Sequence, residues 1–189
     1  MSAKRHVKVL IGEQTIAQRT EAMAREIAAQ APNELLVVAI LKGSFMFAAD
    51  LIRALHRAGL EPQVEFMHLS SYLDGTVSTG QVKILRDIDS DVRGRDVLVI
   101  DDILESGRTL AFAKDLLAAR GAAHVRVAVM LEKPGKRAVQ IKADFVGFEC
   151  PDLFVVGYGM DVAHAYRQLP YIGVVDTSPD AQVGLPLHA

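Results

Sequence analysis

Val97-Leu98-Val99-Ile100-Asp101-Asp102-Ile103-Leu104-Glu105-Ser106-Gly107-Arg108-Thr109-Leu110 is the stretch that decides how this chain folds. Val97 to Ile100 are uninterruptedly apolar, which predicts a parallel strand covered on both faces, because a half-exposed strand would alternate. The run then meets two adjacent carboxylates, a short polar turn and a predicted helix over Thr109 to Arg120, capped by Gly121. In α/β sheets the carboxyl ends of strands hold ligands. Ionised carboxylates only accept hydrogen bonds and suit sugar hydroxyls or a hydrated cation. Free backbone N–H groups at a helix start suit phosphate. The layout is that of a sugar-phosphate cradle, although an acid pair after a strand also fits a metal or phosphoacceptor site, or a solvated turn.

Working outward, strands and helices alternate. Glu13 to Gln30 has Ile16, Ala17, Met23, Ala24 and Ile27 near helical spacing and ends before Pro32. Leu35 to Leu41 is an apolar run followed by Lys42-Gly43-Ser44, and Phe45 to His56 repeats Phe47, Leu51 and Leu55 at i, i+4. Val64 to Leu69, Val82 to Leu85, His124 to Leu131, Asp144 to Phe148 and Tyr171 to Val175 read as further strands. Between the first two of these, residues 71–80 are polar and punctuated by Gly75 and Gly80, a long flexible flap. The order predicts a single domain over 1–189: an α/β, doubly wound, mostly parallel sheet at about 35–145, with a small hood from about 1–15 and 146–189.

At 189 residues, half of them hydrophobic, the chain can bury one good core. A net charge of −2 speaks against a nucleic-acid partner, which calls for concentrated Lys and Arg. The lone cysteine, Cys150, cannot form an internal disulfide and reads as a small buried residue in a reducing, cytoplasmic compartment. The basic start, MSAKRHVKVLIGE, lacks the apolar core of a signal peptide, and no run approaches the roughly 18 apolar residues of a membrane span. Neither a GxGxxG turn nor a GxxxxGK[ST] loop occurs, so the phosphate loop is of another kind.

The 97–109 pattern of four apolar residues, two acids, two apolar residues, an acid, Ser, Gly, any residue and Thr resembles the phosphoribosyl-diphosphate motif of type I phosphoribosyltransferases. Leu41-Lys42-Gly43, Ser70-Ser71-Tyr72, Lys133, FECPDLFVVGYGMD at 148–161 and Arg167 resemble the 6-oxopurine branch of that family. The resemblance spans about 35–175. It implies transfer of a phosphoribosyl group from 5-phosphoribosyl 1-diphosphate to hypoxanthine or guanine, giving IMP or GMP and pyrophosphate, with Mg²⁺ as cofactor and a homodimer or homotetramer as the assembly.

By the same resemblance, Asp101 and Asp102 would hold the ribose hydroxyls, and Glu105, Ser106, Gly107, Arg108 and Thr109 the 5′-phosphate. Lys42, Gly43, Ser71, Tyr72 and Arg167 would meet pyrophosphate. Ile103, Lys133, Phe154, Val155 and Asp161 would form the purine site, with Asp161, Asp101 and Asp102 facing the metal. Glu105 would be the general base for the purine imidazole proton. It departs from the family pattern, which has Asp there, and the extra methylene moves a carboxylate by roughly 1.5 Å.

The chemistry accounts for these residue types. Departure of pyrophosphate leaves C1 electron-poor, which fixed negative charge beside the ribose favours, while cations and N–H groups accept the growing charge on the leaving group. The flap would exclude water from the exposed cation. An ammonium has donors only, so Lys133 suits a 6-oxygen and not the amino group of adenine. Taken singly, Lys133, Lys136 and Arg137 read as solvated turn residues, Phe154 as core, and Asp161 with Arg167 as a surface pair. Two other functions stay open: a regulatory protein with this fold that binds nucleic acid, and the same chemistry on xanthine.

Overall fold

The structure, a computed structural model, describes residues 7–71 and 82–175, Ser71 by its backbone alone. In chain order the elements are β1 (Val7–Ile11), α1 (Glu13–Ala28), β2 (Leu36–Leu41), α2 (Phe45–Arg57), β3 (Gln63–Ser71) and β4 (Val82–Arg86). There follow β5 (Asp96–Leu104), α3 (Arg108–Ala119), β6 (His124–Glu132), β7 (Phe145–Glu149), β8 (Val155–Val156) and β9 (Ile172–Val175).

Six strands form one sheet in the order β4-β3-β2-β5-β6-β7, parallel throughout except for β4, which returns antiparallel along β3. The apolar runs are continuous because both faces are covered. Val37, Ala39, Leu98 and Ile100 join the core under α1 and α2, whereas Leu36, Val38, Val97 and Val99 join the core under α3. Successive side chains on a strand point to opposite faces, so each strand feeds both layers. From β2 the chain proceeds outward to β3 on one side, and from β5 to β6 and β7 on the other. The order therefore reverses between β2 and β5, and a crevice opens beyond their carboxyl ends, where open α/β sheets take ligands.

A second sheet, β1-β9-β8, is antiparallel and forms the hood. The structure departs from the sequence expectation in several places. β1 was not anticipated; its middle residues are exposed, so no burial pattern marks it. β5 does not stop at Ile100 but continues through both aspartates to Leu104, because β6 keeps pairing with it at Asp101↔Val129 and Ile103↔Leu131. The main sheet runs to Glu149, a few residues past the expected start of the hood at 146.

Leu51 of α2 is fully buried against the sheet. Leu51→Ala should lower the unfolding free energy by about 2–5 kcal/mol. Urea titration followed by circular dichroism checks this, and an unchanged midpoint would contradict the placement of α2.

Candidate active site

At the β2–β5 crevice the two strand ends come into contact through a residue with no side chain. A methyl carbon placed on Gly43 would lie 1.8 Å from Asp102 Oδ2, and one placed on Gly159 of the hood would lie 2.1 Å from the Gly43 carbonyl oxygen. Two glycines thus let β2, β5 and the hood loop close on one point. The resulting cleft, of about 370 Å³, is lined among others by Lys42, Gly43, Asp101, Asp102, Glu105 and Thr109. The Leu41–Lys42 peptide at its edge is cis.

Asp101 is buried and Asp102 lies between buried and exposed. Asp101 Oδ1 accepts the Asp102 N–H at 2.9 Å, and Asp102 Oδ1 accepts the Ile103 N–H at 2.8 Å. Burial pushes the Asp101 carboxyl well above the usual range, and the neighbouring Asp102 charge pushes it further. Burial also raises Asp102, against the opposing pull of its hydrogen bonds and of the Arg167 charge. Two desolvated acids side by side favour a cation or hydroxyl donors in the cleft.

Beyond β5, Glu105 and Ser106 lead into Gly107, which has φ of 80°, a left-handed conformation that glycine adopts without a Cβ penalty. This turn starts α3, whose first ladder bond runs from the Ala111 N–H to the Gly107 carbonyl at 2.8 Å. The Arg108 N–H reaches Ser106 Oγ at 3.5 Å. The 137–141 segment backs the turn: Ala138 N–H donates to the Ser106 carbonyl at 2.9 Å, and Ile141 touches the space where a Gly107 side chain would go.

Lys133 follows the end of β6, and Ile103 lies in β5. Lys133 is only 6% exposed, so the solvated-turn reading fails for it. Its Nζ lies 3.7 Å from Glu105 Oε1. Val155 is buried in β8, Phe154 beside it is 56% exposed, and Ile103 packs at the edge of the core. Asp161 pairs with Arg167 at 2.6 Å, and Arg167 also donates to the Gly159 carbonyl at 2.6 Å. The structure thus brings Lys42, Gly43, Asp101, Asp102, Ile103, Glu105, Ser106, Gly107 and Thr109 to one cleft, with Arg108 at the start of α3 and Lys133 beside Glu105, whereas Phe154, Val155, Asp161 and Arg167 belong to the hood. Tyr72 and the 72–80 part of the flap lie outside the described residues, and Ser71 is known only as the last backbone position of β3.

Residues 10–163 match the family model of the phosphoribosyl transferase domain. The chain belongs to that family. This phosphoribosyltransferase is 45% identical over 169 residues to the hypoxanthine-guanine phosphoribosyltransferase of Bacillus subtilis (strain 168), covering 89% of this chain and 92% of that one. It is 42% identical over 175 residues to the hypoxanthine phosphoribosyltransferase of Escherichia coli (strain K12), covering 91% and 97% of the two chains. A solved hypoxanthine phosphoribosyltransferase structure from Staphylococcus aureus matches with a TM-score of 0.84 at 39% identity over 94% of both chains. The α/β fold with a mostly parallel sheet is that of the family.

Sequence reasoning missed Arg137 as a brace of the phosphoribosyltransferase cleft. Its guanidinium donates to the carbonyls of Leu104 at 2.8 Å, Glu105 at 2.6 Å and Lys133 at 3.3 Å, and pairs with Glu132. Nothing in its local sequence distinguishes it from the adjacent Lys136.

The turn yields a stability comparison. Gly107→Ala meets both a left-handed φ and Ile141 Cγ2 at 2.5 Å, whereas Gly94→Ala meets a φ of 74° with nothing within 4 Å. Gly107→Ala should therefore be the more destabilising by about 1 kcal/mol or more, from crowding alone. Equal losses in urea denaturation would contradict the packing of 137–141 on the turn.

Proposed function

We propose that this chain transfers the 5-phosphoribosyl group of 5-phosphoribosyl 1-diphosphate to the imidazole nitrogen of hypoxanthine or guanine. The C1–oxygen bond to pyrophosphate breaks, the C1–nitrogen bond forms, and the nitrogen's proton passes to Glu105. The products are IMP or GMP and pyrophosphate, the chemistry of purine salvage. The observation that carries the reading is the buried ammonium of Lys133, 3.7 Å from Glu105, where the base would stand beside a sugar held by Asp101 and Asp102.

In this reading the Asp101 and Asp102 carboxylates accept from the ribose hydroxyls and stabilise positive charge developing at C1. The Glu105 to Thr109 turn takes the 5′-phosphate on backbone N–H groups at the start of α3. Lys42, the Gly43 backbone and Arg167 meet pyrophosphate, joined by Ser71 and Tyr72. Phe154 stacks on the purine, Ile103 lies at its edge, and Val155 offers backbone groups. Lys133 donates to the 6-oxygen and leaves the amino group of adenine without an acceptor.

Asp101, Asp102 and Asp161 would each offer carboxylate oxygens to Mg²⁺, and the raised carboxyls of the first two would gain from a nearby cation. Among the described residues no cluster of three His, Cys, Asp or Glu is arranged to hold a metal by itself. Mg²⁺ takes one or two carboxylates together with substrate phosphates, so these acids would share it with the diphosphate of the substrate. When bound, Mg²⁺ neutralises charge on the pyrophosphate. We place the enzyme in the cytoplasm, a reading that rests on its single cysteine, the buried thiol Cys150. We infer a homodimer or homotetramer, in keeping with Val64 and Phe66 of β3, which are exposed two residues apart on one strand face.

Purified protein with phosphoribosyl diphosphate, Mg²⁺ and one purine at a time should form nucleotide from hypoxanthine or guanine. Adenine should be slower by about a hundredfold or more. Absence of product from both oxopurines would overturn the proposal, and a faster rate with xanthine would move it to that base. Glu105→Ala should lower kcat by about 10²–10⁴-fold while phosphoribosyl diphosphate still binds. An unchanged kcat removes Glu105 as the base.

A further inference from the structure

Lys136 reads in the sequence as a solvated turn lysine and is half exposed, yet it pairs with Glu105 and with Asp152 of the hood loop. The Pro134–Gly135 turn folds the chain back over the end of β6. Lys136 Nζ then lies 3.4 Å from Glu105 Oε1 and 2.6 Å from Asp152 Oδ1. Lys133 approaches the same Glu105 oxygen at 3.7 Å. In both pairs the closest approach is to Oε1. Asp152 stands two residues before Phe154, on the loop that carries the exposed ring. One ammonium therefore links the phosphate turn to the hood loop. Asp152 and Glu105 hold it above the usual lysine range.

We propose that Lys136 is a positioning residue: it holds the long Glu105 carboxylate in one orientation and ties it, through Asp152, to the loop bearing Phe154. The inference rests on the proposed role of Glu105 as the base. A glutamate has one more rotatable bond than an aspartate, so its carboxylate needs an external hold that the shorter side chain does not. Lys136 and Lys133 grip it from one side. Surface ion pairs contribute little to global stability. The consequence of losing this one therefore falls on the orientation of a single reacting group and not on the fold. In Glu105→Asp the carboxylate retreats by roughly 1.5 Å, beyond pairing distance of Lys136.

The test measures kcat, and KM for each substrate, in Lys136→Ala and Lys136→Arg, each in the natural background and with Glu105→Asp. In the natural background Lys136→Ala should lower kcat by about fivefold or more, with KM for phosphoribosyl diphosphate within about twofold, and Lys136→Arg should restore most of the loss. With Glu105→Asp, Lys136→Ala should cause no further loss of kcat. If Lys136→Ala leaves kcat unchanged, or lowers it equally in both backgrounds, Lys136 does not position Glu105. The unsubstituted protein separates the two readings: if it forms no nucleotide, the proposed function fails, and if it is active while Lys136→Ala matches it, this inference alone fails.

Discussion

The approach of Gly43 to Asp102 is the contact on which the rest of the site depends. β2 and β5 are neighbours whose connections depart in opposite directions, so their ends face an open crevice. Only a residue without a Cβ lets the β2 turn close on the Asp102 carboxylate, and only another, Gly159, lets the hood loop close on the β2 turn in its place. Backbone from three parts of the chain thereby meets two carboxylates, and Lys42 and Arg167 are brought to the same cleft. A side chain at Gly43 would meet the Asp102 carboxylate first.

The electrostatics follow from that geometry. Burial at a covered strand end raises both carboxyls, and the charge of Asp102 raises Asp101 further, which is unfavourable for the protein alone. The arrangement is favourable where positive charge develops, or a cation sits, beside them. Lys42 lines the same cleft, and further cations near it are already paired: Arg167 with Asp161, and Lys136 with Asp152 and Glu105. The cleft is a charge-separated space, negative where the sugar lies in our reading and positive where phosphates and the 6-oxygen lie.

Much of this was legible from the chain. Val97 to Ile100 and Leu35 to Leu41 stand out because strands covered on both faces are apolar without interruption. The cleft residues stand out because a polar, glycine-containing turn follows each run. Other features were hidden for physical reasons. β1 has exposed middle residues and gains its place only by pairing with β9, more than 150 positions later. Asp101 and Asp102 look like a turn, yet β6 holds them extended. Lys133 precedes Pro-Gly and resembles a surface lysine, and its burial comes from tertiary packing. Arg137 and Lys136 find their partners across more than 30 positions at Leu104 and Glu105, and no local pattern encodes that.

The most direct test is calorimetric binding of phosphoribosyl diphosphate, with Mg²⁺ present, to Gly43→Ala and to the unsubstituted protein, with circular dichroism to establish that both are folded. A folded variant is expected whose affinity is lower by about tenfold or more, because the added methyl displaces the Asp102 carboxylate. A folded Gly43→Ala that binds as tightly as the natural chain would contradict the claim that this contact builds the site.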